Sequence, residues 1–243
     1  MKISWKSRKG QARRLNNDAA ALAYIDDYLV AVVVDAAEKS QGKRLVFGLN
    51  LQGKRLASYW ADTCVQTLSA APEILGTEHG ITRLLAGMQK CLRQYYLFDI
   101  ASYGVLILHR FSGVADWYYT GDCRLGVESV SDGLQWQGSP HRVDHGIRAN
   151  TNRGASSSAL QQAARHTLTR SLNAKRFSQP ELIKTRMDKD SQKLLIATDG
   201  HWCERHSRTL PSVDDASLLM IAYGPKGLKL DTDTPNIFIT YRK

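Results

Sequence analysis

DAAALAYIDDYLVAVVVDA, residues 18–36, holds two β-rich runs on either side of Asp26-Asp27, a turn-forming pair. That arrangement predicts a hairpin. The second run, Tyr28 to Val34, is almost wholly apolar, as a strand covered on both faces is. It stops at a carboxylate, Asp35.

Working outward, residues 37–54 are polar and contain glycine, which predicts a loop; QGKRL occurs at 41–45 and again at 52–56, a local duplication too short for a solenoid. Apolar residues then recur at helical spacing from Leu56 to about Leu68 and from Ile81 to Tyr96, with Pro72 and the Gly76-to-Gly80 stretch between. Segment 101–143 (ASYGVLILHR, ADWYYTGDCRLGVESV, GLQWQG) predicts three or four strands joined by short turns. Residues 145–158 predict a loop and Leu160 to Leu172 a helix. KLLIAT at 193–198, SLLMIAY at 217–223 and NIFITYR at 236–242 are further strands. Strict alternation of strand and helix is missing, and no linker divides the chain. The expectation is a single α+β domain over 1–243 with antiparallel sheets.

Composition narrows the function classes. An apolar share of 43% over 243 residues suffices for a sizeable core without staples. Cys64, Cys91, Cys123 and Cys203 form no CxxC pair, which argues against a disulfide framework or a cysteine zinc site and for reduced thiols in a cytoplasmic protein. His109, His141, His145 and His166 have no HxH or HxxxH spacing. The basic N-terminus is not followed by an apolar signal region, and no apolar run is long enough to cross a membrane. The formal charge of +10 suits nucleic acid, anionic lipid or acidic and phosphorylated proteins as partners, and the lack of a recognisable nucleic-acid motif argues against the first.

The placement of the aspartates carries the chemistry. Asp35 follows VAVVV, Asp199 follows LLIAT, Asp122 sits in the turn after WYYT, Asp18 precedes the first strand of the hairpin, and Asp214 and Asp215 precede SLLMIAY. An aspartate at a strand end is often only a turn former or cap. If these ends meet at one edge, several carboxylates converge and repel, and oxygen-binding divalent cations resolve the conflict.

In order and approximate spacing these segments resemble the metal-dependent type 2C (PPM-type) Ser/Thr protein phosphatases over nearly the whole chain. The matching segments are RRLNND (13–18), VVVDAAEKSQG, RLASYWADT, YYTGDCRLGV, LTRSLN (168–173), LLIATDGHW and DDAS (214–217). The resemblance implies a four-layer α-β-β-α sandwich with a metal cleft at one end. It implies hydrolysis of phosphoserine and phosphothreonine by a metal-activated water, using two Mg²⁺ or Mn²⁺ ions and a weaker third. Asp35 would bridge the two ions, the Ala36 carbonyl, Asp199 and Asp214 would complete that site, and Asp18 would hold a metal-bound water. Asp122 with Asp199 would take the third ion, and Arg13 would grip the substrate phosphate. A free-standing monomer is expected, by resemblance.

Three positions depart from the family pattern. Asn17 stands where many members carry Glu, and an amide there can still hydrogen-bond a metal water. Asp215 stands where Asn is usual, where it either strengthens metal binding or faces solvent. Ala36, Ala37, Glu38 and Lys39 replace a Gly-rich turn; a positive φ at Ala36 would cost roughly 1 kcal/mol or more. Glu38 reads as a solvated loop residue before it reads as a substitute ligand. The altered loop motivates a second reading, a weak or inactive phosphatase-like domain that binds a protein or phosphoprotein.

Overall fold

The computed structural model describes residues 1–37, 53–144, 164, 167–188, 192–203 and 212–241. The first QGKRL copy, Glu38, Lys39, His166 and the predicted loop 145–158 with His145 fall outside them. Among the described residues, thirteen strands form a six-stranded sheet in the order β12-β1-β11-β10-β6-β7 and a seven-stranded sheet led by β13-β2-β3-β4-β5-β9, in which β8 pairs with β4.

The hairpin is central to the second sheet. β2 (Asp18–Ile25) and β3 (Tyr28–Ala36) pair antiparallel, and Asp26 in the turn has φ 49°, a conformation aspartate tolerates. β4 (Ile100–His109) pairs with β3, β5 (Val114–Thr120) with β4, and β9 (Glu181–Arg186) with β5. β13 (Ile237–Tyr241) joins β2 in parallel, and the short β8 spans Leu172–Asn173. The other sheet contains β1 (Lys2–Arg8), β6 (Arg124–Ser129), β7 (Gly133–Gln137), β10 (Gln192–Ala197), β11 (Ala216–Ala222) and β12 (Gly227–Thr232), with β12 parallel to β1. Both sheets are therefore mixed, not wholly antiparallel as expected, because the chain returns to β1 and β2 from afar instead of through a tight turn.

Helices α1 (Leu56–Ala70) and α2 (Glu78–Cys91) bury Trp60, Cys64, Val65, Leu68, Ile81 and Leu85 against the seven-stranded sheet. The second predicted helix ends early: Leu92–Gln94 tightens into a 3₁₀ turn. The described end of the predicted 160–172 helix is not helical, since Leu168 bridges Arg142 and Leu172 opens β8.

Side-chain alternation divides the apolar residues between two cores. Val30, Val32 and Val34 of β3 face the helices, whereas Leu29, Ala31 and Val33 face the other sheet. Ile3, Trp5, Ala20, Leu22, Leu106, Trp117, Leu194, Ile196, Leu219 and Ile221 share that inter-sheet layer. Gly104 of β4 gives Trp117 its space, because a Cβ there would lie 1.7 Å from the indole.

Candidate metal and phosphate site

The same alternation that fills the inter-sheet core places the polar residues at its end. Continuing each inward-facing series by two residues leads from Trp5 to Ser7, from Val33 to Asp35, from Ile196 to Thr198, and backwards from Ala20 to Asp18, from Gly104 to Ser102 and from Leu219 to Ser217. The strands run so that all these positions lie at one edge, with Asp18 directly opposite Asp35 and Asp35 opposite Ser102. Asp122 arrives in the turn after β5. Asp199 opens the single-turn helix α3 (Asp199–Trp202), and Asp214 precedes β11.

Asp18 and Asp122 are buried, Asp35, Asp199 and Asp214 are half-buried, and the five carboxylates repel one another. Burial pushes the Asp35 carboxyl well above its ordinary range, and the charges of Asp18, Asp199, Asp122 and Asp214 push it further. Asp18 is raised chiefly by burial, opposed by hydrogen bonds from Ser217 and Thr198. Asp199 is raised to about 7 by burial and then by Asp122 and Asp214, while a hydrogen bond with Asp35 works the other way. Asp122 is also raised by burial, although the Ser102 hydroxyl donates to it at 2.5 Å.

Hydroxyls and arginines brace this edge. Thr198 Oγ1 donates to Asp18 Oδ2 at 3.0 Å and accepts the Ser217 N–H at 2.9 Å. Asp18 Oδ1 is buried and has no hydrogen-bond partner. Arg13 donates from Nε and Nη2 to the two oxygens of Asp214, a bidentate pair at 2.5 Å each. Arg142, 3% exposed, sends Nε and Nη2 to Asp144, and its Nη1 lies 3.9 Å from both Asp122 Oδ2 and Asp199 Oδ2.

The two departures flanking the motifs hold loops. Asp215 does not face solvent: it is 3% exposed and accepts the backbone N–H of Gly10 at 2.9 Å and of Asn17 at 2.8 Å. Asn17 Oδ1 accepts from Arg55 Nη1, tying the loop before β2 to the start of α1. Gly10 and Gly200 press on this same segment from two directions. A Cβ on Gly10 would lie 2.3 Å from the Asp214 carbonyl carbon, and one on Gly200 2.1 Å from the Asp215 carbonyl oxygen. Ala36 continues β3 opposite Ala101, its N–H donating to the Asn17 carbonyl at 3.2 Å, and among the described residues only Asp26 is a non-glycine with positive φ. The strain anticipated at Ala36 is absent.

A search of solved structures finds the same architecture. A bacterial serine phosphatase superposes with a TM-score of 0.70 at 16% identity, covering 93% of this chain and 99% of that one. The fold is that of the PPM-type Ser/Thr phosphatases. Serine/threonine phosphatase Stp1 from Staphylococcus aureus matches with a TM-score of 0.65 at 16% identity (91% of this chain, 94% of that one). The PPM Ser-Thr phosphatase MsPP from Mycobacterium smegmatis, in complex with cacodylate, matches with a TM-score of 0.64 at 14% identity (92% and 99%). No family model matches the chain, and no curated protein matches it in sequence.

Within this PPM fold, the cluster can be tested for fitness to hold cations. Its donors are hard carboxylate oxygens, the type Mg²⁺ and Mn²⁺ select, and the orphaned Asp18 Oδ1 is one of them. Among the described residues no three His, Cys, Asp or Glu side chains close on one point as a finished shell does. Arg13 and Arg142 account for part of this, since they stand against Asp214 and beside Asp122 and Asp199. The donor chemistry fits, with part of its charge already balanced by arginine.

Sequence reasoning missed Arg142, Thr198, Ser102, Ser217 and His141. His141 Nδ1 accepts the Gly121 N–H at 3.1 Å, which leaves Nε2 to donate to Glu181, and its ring stacks on Tyr119. The inward parity of the strands could have found the three hydroxyl residues. Nothing local marks Arg142.

Proposed function

We propose that the protein is a metal-dependent phosphatase of the PPM type, acting on phosphoserine and phosphothreonine in proteins. The observation that carries this reading is the convergence of Asp18, Asp35, Asp122, Asp199 and Asp214, from separate elements, on one end of the inter-sheet layer. The PPM fold of the chain supports it. Asp18, Asp35, the Ala36 carbonyl, Asp199 and Asp214 would hold two Mg²⁺ or Mn²⁺ ions. Bound there, the ions supply Lewis acidity toward the phosphoryl oxygens and acidify the attacking water.

The chain's own residues do the rest. Thr198 fixes the Asp18 carboxyl by a hydrogen bond to Oδ2, so that Oδ1 is the oxygen left for ligation. Arg13, half-buried beside Asp214, is assigned to the substrate phosphate, with Nη1 free of the bidentate pair that Nε and Nη2 make. The net charge of +10 adds a field that draws phosphorylated segments toward the protein. Asn17 and Asp215 are assigned to holding the loop that carries Arg13.

Phosphate release from a phosphothreonyl peptide, followed with and without Mn²⁺, tests the reading. Activity should require the metal, and Asp35→Asn should lower kcat/KM by about 100-fold or more. Metal-independent activity, or full activity in Asp35→Asn, would refute it. The pairing of Arg13 with Asp214 favours a second reading, a phosphatase-like domain that binds a phosphoprotein without turning it over. Calorimetry showing no Mn²⁺ binding while a phosphopeptide still binds would select that reading.

A further inference from the structure

We propose that Arg142 is the built-in cation of the Asp122–Asp199 pair, so that this chain takes two divalent ions and has no place for another between those two carboxylates. The inference rests on the metal-dependent reading above and concerns how many ions this particular chain accepts.

The geometry is specific. Nη1 of Arg142 lies 3.9 Å from Asp122 Oδ2 and 3.9 Å from Asp199 Oδ2, equidistant from the two carboxylates. That is too long for a hydrogen bond and short enough for strong Coulombic attraction in a buried setting. The guanidinium is held there by other groups. Nε and Nη2 each donate to Asp144 at 3.0 Å, Nη1 contacts Cys203 Sγ at 3.1 Å, and the plane lies 5.2 Å from the Trp202 ring centre. Trp202 in turn donates from Nε1 to the Asp122 carbonyl at 2.9 Å, so the aromatic under the arginine is fastened to the turn that carries one of its acidic neighbours.

The backbone is fixed as well. His141 N–H donates to the Gly121 carbonyl at 2.9 Å, Gly121 N–H donates back to the His141 ring, and Arg142 bridges Leu168. These bonds tie the backbone before Arg142 to the turn that carries Asp122. With 3% exposure and this set of partners, Arg142 is not an anchor for substrate. A guanidinium keeps its charge at every working pH. It already offsets part of the repulsion that a cation between Asp122 and Asp199 would relieve, and it repels any cation entering there.

The test counts bound Mn²⁺ by equilibrium dialysis with metal analysis, alongside titration calorimetry, and needs no turnover. Arg142→Gln alone would strip the buried Asp144 of its guanidinium, so the variant to use is Arg142→Gln/Asp144→Asn, which removes both charges. The wild type should bind two ions per chain. The double variant should bind three, the added ion with at least tenfold higher affinity than any further site in the wild type, and adding Asp122→Asn should return the count to two. A double variant that still binds two while the wild type binds two overturns the inference and leaves the phosphatase reading standing. A wild-type count of three overturns it whether or not the variant folds. No ion bound by either protein overturns the metal-dependent reading itself, and this inference with it.

Discussion

Replacing Asp199 by Asn should stabilise the protein in chelator while removing a proposed metal ligand. Asp199 is raised from the usual 3.8 to about 7, by burial first and then by Asp122 and Asp214. A folded-state pKa above the unfolded value makes stability highest at low pH and erodes it as pH rises toward 7. Each unit is worth about 1.4 kcal/mol, so the shift sets a ceiling of roughly 4 kcal/mol on the cost of ionised Asp199 at pH 8. Asp35 shares a hydrogen bond with Asp199, and Asn returns only part of it. The expected gain is about 2 kcal/mol, or roughly 4–8 °C in Tm for a chain of this size. Thermal melts of wild type and Asp199→Asn in EDTA, from pH 8 down to pH 5, are the assay. The variant should melt higher at pH 8, with the difference falling by more than half at pH 5. Mn²⁺ should then raise the wild-type Tm, as ligand linkage requires, and leave the variant nearly unmoved. A variant that melts no higher than wild type at pH 8, or by an amount independent of pH, would refute the claim that these carboxylates repel one another in the folded state.

Two structural substitutions test how the edge is built. Gly200→Ala places a Cβ 2.1 Å from the Asp215 carbonyl oxygen, so it should lower stability by about 1–3 kcal/mol in urea unfolding and displace the Asp214 segment. Asp215→Ala strands the buried N–H groups of Gly10 and Asn17 and should cost about 2–4 kcal/mol; Asp215→Asn, which keeps one acceptor, should cost less, and equal losses would deny the two-sided clamp.

The hairpin at 18–36 was legible because its residues state both the pairing and the burial: β3 is apolar on both faces since helices cover one and a second sheet the other. β1 carries a legible alternation masked by its charges. Ile3, Trp5 and Ser7 alternate inward, but Lys2, Lys6 and Arg8 around them read as a basic terminus. The edge strands β9 and β12 carry few inward apolar residues, so their alternation is weak, and their positions are set by partners far along the chain. The parallel pairs β1–β12 and β2–β13 leave no turn signal to read. At the site, acidic residues at strand ends were visible singly. Their convergence depends on strand direction and parity, which is why the motif resemblance had to supply it. Asp215 looked like a surplus charge because its partners are backbone N–H groups, which have no signature in the sequence.

The cluster shows three ways of living with buried negative charge. Asp215 is satisfied by backbone donors, Asp122 by the Ser102 hydroxyl with Arg142 nearby, and Asp214 by the Arg13 fork. Asp18 and Asp35 are treated differently. Asp18 leaves one oxygen buried without a partner, and Asp35 faces four other carboxylates. Among the described residues no ion pair engages either of them, while arginines stand against Asp214 and between Asp122 and Asp199. Among the described residues, no arginine pairs with the Asp18–Asp35 couple as Arg13 does with Asp214. The uncompensated charge therefore sits at the strand ends that the hairpin itself fixes in register. A divalent cation gains most where no resident charge competes with it, and the proposed phosphatase chemistry depends on that pair first.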